Sequence, residues 1–546
     1  MREDTRITPI TALKPLLVAM AAALAAAPGA AAQTVDTSEW KCEKCPFHAG
    51  YGAEVTVGGR YVDEDSARFG RYNGLDEKGG YADLSARGGE RRESGTFYEY
   101  ELVDLGLDTR EGRLALGREG VLEATLSYDE IPYRAWDTTA TPFVRSGRDR
   151  LVLPGDWVRA GATSGMSALA RSLAPVRIGT DRSSLGRANV EVYADARRED
   201  IEGSRRMPVV FLGQVAELPE PVDASHDQFE LGALYRFGRG YARLSWYLSK
   251  YDNALESFTF ENPFLPLAPD TLLGRKALAP DNQARLLALD GSVRLPLDGV
   301  LSWRLANGTL EQDATLLPIS TSAALTGAAT LPRGRLDGEV DTAHYRASLS
   351  LRPHARLRLR GNARYDERDD KTAPFTVGYV ESDSAPAGLA TAPRYGYERT
   401  RFDGSAELRV LDWLRVAAGG EQDEVKRSNQ ESAKTEETST WGRVRVRPLA
   451  SLEFTATAGE SRIDAGSYVP LPDLPPENPL LRKYNLANRD RDFLRSQASW
   501  TQEGFALTAE AAIARDRYRR SAIGLRSSDD TRYAATASYA FKERGS

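Results

Sequence analysis

The sequence predicts an all-β protein folded as one large transmembrane antiparallel β-barrel. Three observations carry that expectation. Apolar and polar residues alternate with period two through most of the chain beyond residue 50, the pattern of strands with unlike faces. No segment keeps a helical period over a useful length, and beyond residue 32 no run approaches the roughly 20 apolar residues of a spanning helix. Short turns alternate with long polar or proline-rich connections, the asymmetry of outer-membrane barrels with periplasmic turns and extracellular loops. Length alone, 546 residues, would suggest about three or four domains, but a large barrel spends several hundred residues on one sheet. Eight Trp, 23 Tyr and 16 Phe argue against a disordered chain. With 72 basic and 78 acidic residues the net charge is −6, so no basic excess favours nucleic acid.

The first segment reads as an address. Arg2, Arg6 and Lys14 precede the apolar run Pro15 to Ala27, Pro28-Gly29 breaks it, and Ala30-Ala31-Ala32 offers a small-residue cleavage site. Residues 1–32 are therefore expected to be a secretory signal peptide cleaved near Ala32. No cysteine follows that site directly, so no lipid anchor is indicated. Residues 33–52 are expected to be an N-terminal periplasmic segment, and residues 53–546 the barrel.

Alternation then marks the strands in order. It runs through Leu122/Ala124/Leu126/Tyr128, Phe229 to Phe237, Ala242 to Leu248 and Leu287 to Leu295. It is clearest in 355–365, where Ala355, Leu357, Leu359, Gly361, Ala363 and Tyr365 oppose Arg356, Arg358, Arg360, Asn362 and Arg364. Residues 402–410 and 452–458 repeat it, and Tyr533 to Phe541 resembles a C-terminal insertion strand. The apolar face is light, rich in Ala, Gly and single Leu. The other face is too charged for the core of a soluble sandwich, which needs bulky inward residues on two sheets. Lipid outside and water or a polar guest inside fits both faces. Aromatic residues at strand ends (Tyr235, Phe237, Tyr241, Trp413, Tyr539) suit interfacial girdles.

Short turns fall at 238–240, 296–299, 352–354, 411–413, 448–450 and 502–504. Long loops are expected at 161–186, 262–281, 374–394, 426–440 and 464–488. Most short turns sit roughly 55 residues apart, which gives roughly 18–20 strands at two strands per interval; tighter strands allow more.

Few residues could carry chemistry. Cys42-Glu43-Lys44-Cys45 is the one compact reactive motif. Haem attachment needs His directly after the second Cys, and Pro46 stands there; zinc would need ligands beyond His48. A local disulfide, a redox dithiol and a partner-docking role for Cys42 and Cys45 stay open. His226, His344 and His354 are scattered and read as structural, and Asp369-Asp370 and Asp529-Asp530 read as turn residues. The arginine faces, 356–364 and Arg443/Arg445/Arg447, would pair with acids of a neighbouring strand or tune a lumen. No nucleophile elbow or phosphate loop occurs. The sequence supplies no case for an enzyme, a catalytic residue or a metal site.

Trp40-Lys41-Cys42-Glu43-Lys44-Cys45, then Phe69-Gly70-Arg71-Tyr72-Asn73-Gly74-Leu75, Gly79-Gly80-Tyr81 and Thr141-Pro142-Phe143, followed by alternating strands to the C-terminus, resemble the MtrB/PioB family of decahaem-cytochrome-associated outer-membrane barrels. The resemblance implies about 26 strands, which brackets the expected count at about 20–26. It also implies a sheath in the outer membrane that holds a periplasmic multihaem c-type cytochrome in its lumen, sometimes meeting a second one outside. Electrons would cross in either direction, to extracellular metal oxides or from ferrous iron. Haem would be carried by the partner, and this chain would bind no cofactor covalently. Of the family's motif, only Cys42 and Cys45 carry over, without an assigned role. The rival readings are a general or substrate-specific porin and a surface adhesin. A transporter with a plug domain is disfavoured because no plug-sized segment precedes residue 53.

Overall fold

The computed structural model describes residues 50–133, 141–159, 176–187, 190–211, 214–265, 272–322, 331–382, 385–471, 478 and 480–539. Residues 1–49, with the expected signal peptide, Cys42 and Cys45, lie outside the described residues.

The alternating segments become twenty strands of one sheet. They are β1 (Gly50–Val62), β2 (Gly79–Arg91), β3 (Thr96–Val103), β4 (Glu111–Arg118), β5 (Leu122–Ile131), β8 (Val176–Arg187), β9 (Val190–Phe211), β10 (Gln214–Phe237), β11 (Gly240–Asn253) and β14 (Asn282–Leu295). The second half adds β15 (Gly299–Gln312), β16 (Gly338–His354), β17 (Leu357–Asp370), β20 (Tyr397–Leu411), β21 (Leu414–Arg427), β22 (Lys434–Leu449), β23 (Leu452–Ala465), β24 (Asn488–Gln502), β25 (Phe505–Arg519) and β26 (Ser527–Tyr539). Each strand pairs antiparallel with the next in chain order, so the sheet is an uninterrupted meander from β1 to β26. Twenty strands agree with the turn spacing, at the lower end of the expected range.

Six short strands stand apart. β6 (Val144–Arg145), β7 (Arg150–Val152), β12 (Ser257–Glu261) and β13 (Leu273–Ala277) make a four-stranded sheet, and β18 (Phe375–Ser382) pairs with β19 (Ala385–Ala392).

The short turns of the large sheet lie at one end of the strands and the long connections at the other, where β9 and β10 also join across two residues. Left-handed backbone recurs in the short turns. In the three-residue turn 296–298 between β14 and β15, Leu297 and Asp298 have φ of 63° and 47°, Gly120 has 69° between β4 and β5, and Glu503-Gly504 join β24 to β25 with φ of 47° and 87°. Two-residue hairpins favour this geometry because its twist matches that of the strands. The turn after β16 falls at residues 355–356, just past the expected Arg352-Pro353-His354, which belongs to the strand.

Four of the expected loops hold strands: 262–281 contains β13 and 374–394 contains β18 and β19, apart from the large sheet, and two others contribute to that sheet. Within 161–186, residues from Val176 onward form β8, whose backbone is held between β5 and β9. Its sequence alternates too weakly to announce a strand, and the pairing on both sides decides it. Within 426–440 only residues 428–433 connect, because β21 continues to Arg427 and β22 begins at Lys434. Both faces are charged there, which hides the period, yet the register persists and cross-strand ion pairs hold it, Lys426 to Glu398 at 3.0 Å and Lys434 to Glu424 at 2.8 Å. The last strand ends at Tyr539; Phe541 lies outside the described residues.

The one sizeable hydrophobic core among the described residues sits at the long-loop end. β9 and β10, 22 and 24 residues long, project beyond their neighbours as a hairpin. Phe211, Ala216 and Leu218 at its tip pack against Phe143, Leu151, Leu153, Phe258 and Phe260 of the four-stranded sheet. Phe258 and Phe143 are fully buried. This small dome fixes two long connections, those after β5 and β11, to the tip of the β9–β10 hairpin.

Candidate functional site

Directly paired residues share a face of a sheet, so the register traces each face around the molecule. The apolar face carries Leu287, Leu244, Phe402, Leu408, Val444 and Leu494, all well exposed. On β17 it runs from Leu357 to Tyr365, and on β25 from Phe505 to Ile513. Eight steps of about 3.4 Å at a tilt of about 40° make a belt roughly 21 Å tall, close to the height expected of a hydrocarbon-facing band. Above the belt the same face turns ionic, with Arg285 to Glu311 at 3.2 Å and Arg517 to Asp492 at 2.9 Å. These strands reach past the membrane on the loop side.

The opposite face is the candidate site. One row across seven neighbouring strands reads Asp290, Arg304, Arg346, Arg364, Arg401, Asp423 and Glu437. Four arginines therefore stand directly opposite one another. Arg401 bonds Glu421 at 2.6 Å, Arg364 bonds Asp366, and Asp290 is held by Arg243 at 2.9 Å. Arg304 and Arg346 have no hydrogen-bond or ion-pair partner among the described residues. A second row places Arg409, Arg415 and Arg445 side by side, then Thr455, Gln497 and Glu510. Arg445 reaches Glu453 at 3.4 Å, and Arg443 donates to Thr457 at 3.0 Å while lying over the Trp441 ring.

The expectation that these arginines pair with acids of a neighbouring strand is met for Arg445, whereas Arg364 pairs with Asp366 of its own strand and Arg358 and Arg360 have no ionic partner among the described residues. The histidines are structural. His226 shares a hydrogen bond with Ser249 at 2.8 Å, His344 lies 3.0 Å from Asp366, and His354 accepts the Arg356 N–H at 3.2 Å. Asp369 and Asp370 end β17 instead of sitting in a turn, and Asp529 and Asp530 lie within β26. Among the described residues no group of three His, Cys, Asp or Glu converges as metal ligands would.

Sequence reasoning missed the dome and the buried acid that serves it. Glu220 on β10 is buried, accepts from Arg205 at 2.6 Å and meets Lys276 at 2.8 Å. The run Phe258-Thr259-Phe260 inside a long connection was the available signal, since a solvated loop has no use for alternating Phe. Beside the dome lies a cleft of about 770 Å³ lined by Phe211, Phe260, Arg275, Leu316 and Arg335.

Wrapped into a barrel, twenty strands about 4.8 Å apart and tilted about 40° give a backbone diameter of roughly 40 Å, or about 30 Å between facing side chains. The ionic rows would line that space and the apolar belt would face lipid.

The family model for the outer membrane beta-barrel porins MtrB/PioB matches residues 61–546. A curated relative, outer membrane protein MtrB of Shewanella baltica (strain OS185), is 28% identical over 520 residues, covering 93% of this chain and 73% of its own. Among solved structures, the siderophore receptor PiuA from Acinetobacter baumannii is 11% identical with a TM-score of 0.40, covering 92% of this chain and 76% of its own. The copper transporter OprC is 8% identical with a TM-score of 0.41, covering 92% and 75%.

Proposed function

Because this chain belongs to the MtrB/PioB family of outer-membrane β-barrel porins, we propose that it is the sheath of a porin–cytochrome complex, holding a periplasmic multihaem cytochrome in its lumen. The chain is an outer-membrane barrel and not an enzyme. Its part in the complex is insulation and alignment. Electrons would pass along the haems of the guest across the outer membrane, toward extracellular metal oxides or from ferrous iron, and a second multihaem cytochrome outside would extend the path. No haem is assigned to this chain, and Cys42 and Cys45 are left with a disulfide or docking role.

The observation that carries this reading is a twenty-strand meander with one ionic face, which closed into a barrel would enclose a polar lumen. A lumen about 30 Å across leaks freely if empty. A compact domain of 100 residues is roughly 34 Å across, so the fit favours an elongated guest. The charged rows offer such a guest a polar wall, where a hydrocarbon-facing surface would offer none.

Reconstitution tests it. Liposomes that enclose an oxidised viologen and carry the barrel with its cytochrome should reduce the dye when dithionite is added outside, while the dye stays enclosed. Barrel without cytochrome should only leak solutes. Solute conduction as the sole activity, with the cytochrome present and folded, overturns the conduit and leaves the plain porin that the family description names.

A further inference from the structure

On the ionic face, arginines without an ionic partner concentrate on one wall near the short turns. On the strands from β14 to β22, Arg294, Arg304, Arg346, Arg358, Arg360 and Arg409 share the inner face, and none has an ionic partner among the described residues. Around them Arg415, Arg443, Arg445 and Arg447 add charge, against the acids Asp290, Asp403, Glu407, Glu421, Asp423 and Glu437 of the same strands. The other wall is mixed: Glu101 on β3 stands in register between Arg87 and Arg113, Glu123 on β5 has no ionic partner among the described residues, and Glu510 on β25 lies three strands from β22. In a ring of twenty strands, β17 and β20 lie ten places from β3 and β4, across the full width of the lumen.

Arginines placed directly opposite one another on neighbouring strands repel. Arg304 next to Arg346, and Arg409 next to Arg415, lower the stability of the sheet unless a counter-charge arrives from outside the chain. Other ionic residues of the same face do find partners within it, as Arg401 and Arg243 show. Most unneutralised arginines of the inner face gather on the β14–β22 wall, toward the turn side where a periplasmic protein would enter, with Arg113, Arg495 and Arg532 elsewhere on that face.

We infer that the β14–β22 wall is a docking surface for the carboxylate-rich face of an inserted protein. This rests on the reading of the lumen as housing a protein. The guanidinium fork suits it, since it binds carboxylates in two-point geometry and keeps its charge at any physiological pH.

Poly-L-glutamate is a probe of the wall that needs no cytochrome. With the full-length barrel in a planar bilayer, added from the short-turn side, it should block ion current, and the association rate should fall at least tenfold between low and high salt. The fourfold variant Arg304→Gln, Arg346→Gln, Arg358→Gln, Arg360→Gln should lower that rate at least tenfold, while the matching Arg→Lys variant, which keeps the charge, should stay within threefold of the parent. Equal block by poly-L-lysine, or poly-L-glutamate block indifferent to the fourfold change, overturns the docking wall. Electron transfer that fails in liposomes while the arginine-dependent block persists would sink the conduit and leave this wall standing; the converse would sink only the wall.

Discussion

A carboxylate taken out of water needs a charge beside it, and Glu431 shows how the extracellular loops meet that need. It sits in the connection between β21 and β22, almost fully buried, under the long loop that joins β23 to β24. Burial pushes its carboxyl up, but the Lys483 ammonium of that loop and Gln430 at 2.7 Å outweigh burial and hold it at about 2, below its ordinary 4.5. The Glu431 carbonyl accepts the Val469 N–H at 2.8 Å, and Arg482 covers the Tyr468 ring, so one acid ties two loops. A depressed carboxylate contributes stability that is fully present above about 4.5 and is lost as pH falls toward about 2. Amide protection of the 466–487 loop, corrected for intrinsic exchange, should therefore fall through that window, while protection of β21 and β22 stays. Lys483→Met should release the loop even at neutral pH. A buried carboxylate losing its partner costs about 3 kcal/mol, the low end of the range because Lys483 is partly exposed. Cleavage of the loop by thermolysin should then run at least tenfold faster, and an unchanged rate would show that the tether does not depend on this pair.

At the scale of strands, the alternation makes a claim that neighbouring residues can test against each other. Ala509 lies midway along the apolar face of β25, and Thr508 is its neighbour on the ionic face. Ala509→Arg should cost about 2–4 kcal/mol of folding free energy in a bilayer, as charge at the midplane of a lipid face does, while Thr508→Arg should cost under about 1 kcal/mol. Tryptophan fluorescence during denaturant unfolding in vesicles measures both, and equal costs would refute the facing of the sheet. That facing was legible in the sequence wherever one face is light and apolar, as in β14, β17 and β20. It was illegible in β8, and in the upper parts of β21 and β22, where both faces are polar and only pairing defines the strand. The arginine rows were half legible. Period two puts Arg304, Arg346, Arg364 and Arg401 on one face, but only the register says that they stand at one level, and register joins residues far apart in the chain. The dome was missed because its strands are two to five residues long and owe their existence to the hairpin they pack on.

For the molecule as a whole the decisive contact is the one between its two ends. β1 and β26, each 13 residues long, are the edges of the sheet and are not hydrogen-bonded to each other among the described residues. Their side chains are correspondingly open, Tyr51 at 67% and Tyr533 at 75%. An edge of that length cannot remain open in lipid, where each unpaired N–H or C=O costs several kcal/mol. The chain is built to avoid the cost. Twenty is an even number, so β1 leaves the turn side and β26 returns to it, and the two ends meet antiparallel as every other pair does. Their outward residues match as well, with Tyr51, Val55, Val57 and Tyr61 on one edge and Tyr533, Ala535, Ala537 and Tyr539 on the other. In a bilayer the amides of β1 and β26 should accordingly exchange hydrogen as slowly as those of β20, which has a neighbour on both sides. Rapid exchange confined to every second amide of β1 and β26 would mean that the seam stays open. A sheet with an open seam could neither insulate a guest nor hold a gradient, so this measurement bears on the proposed conduit before any cytochrome is added.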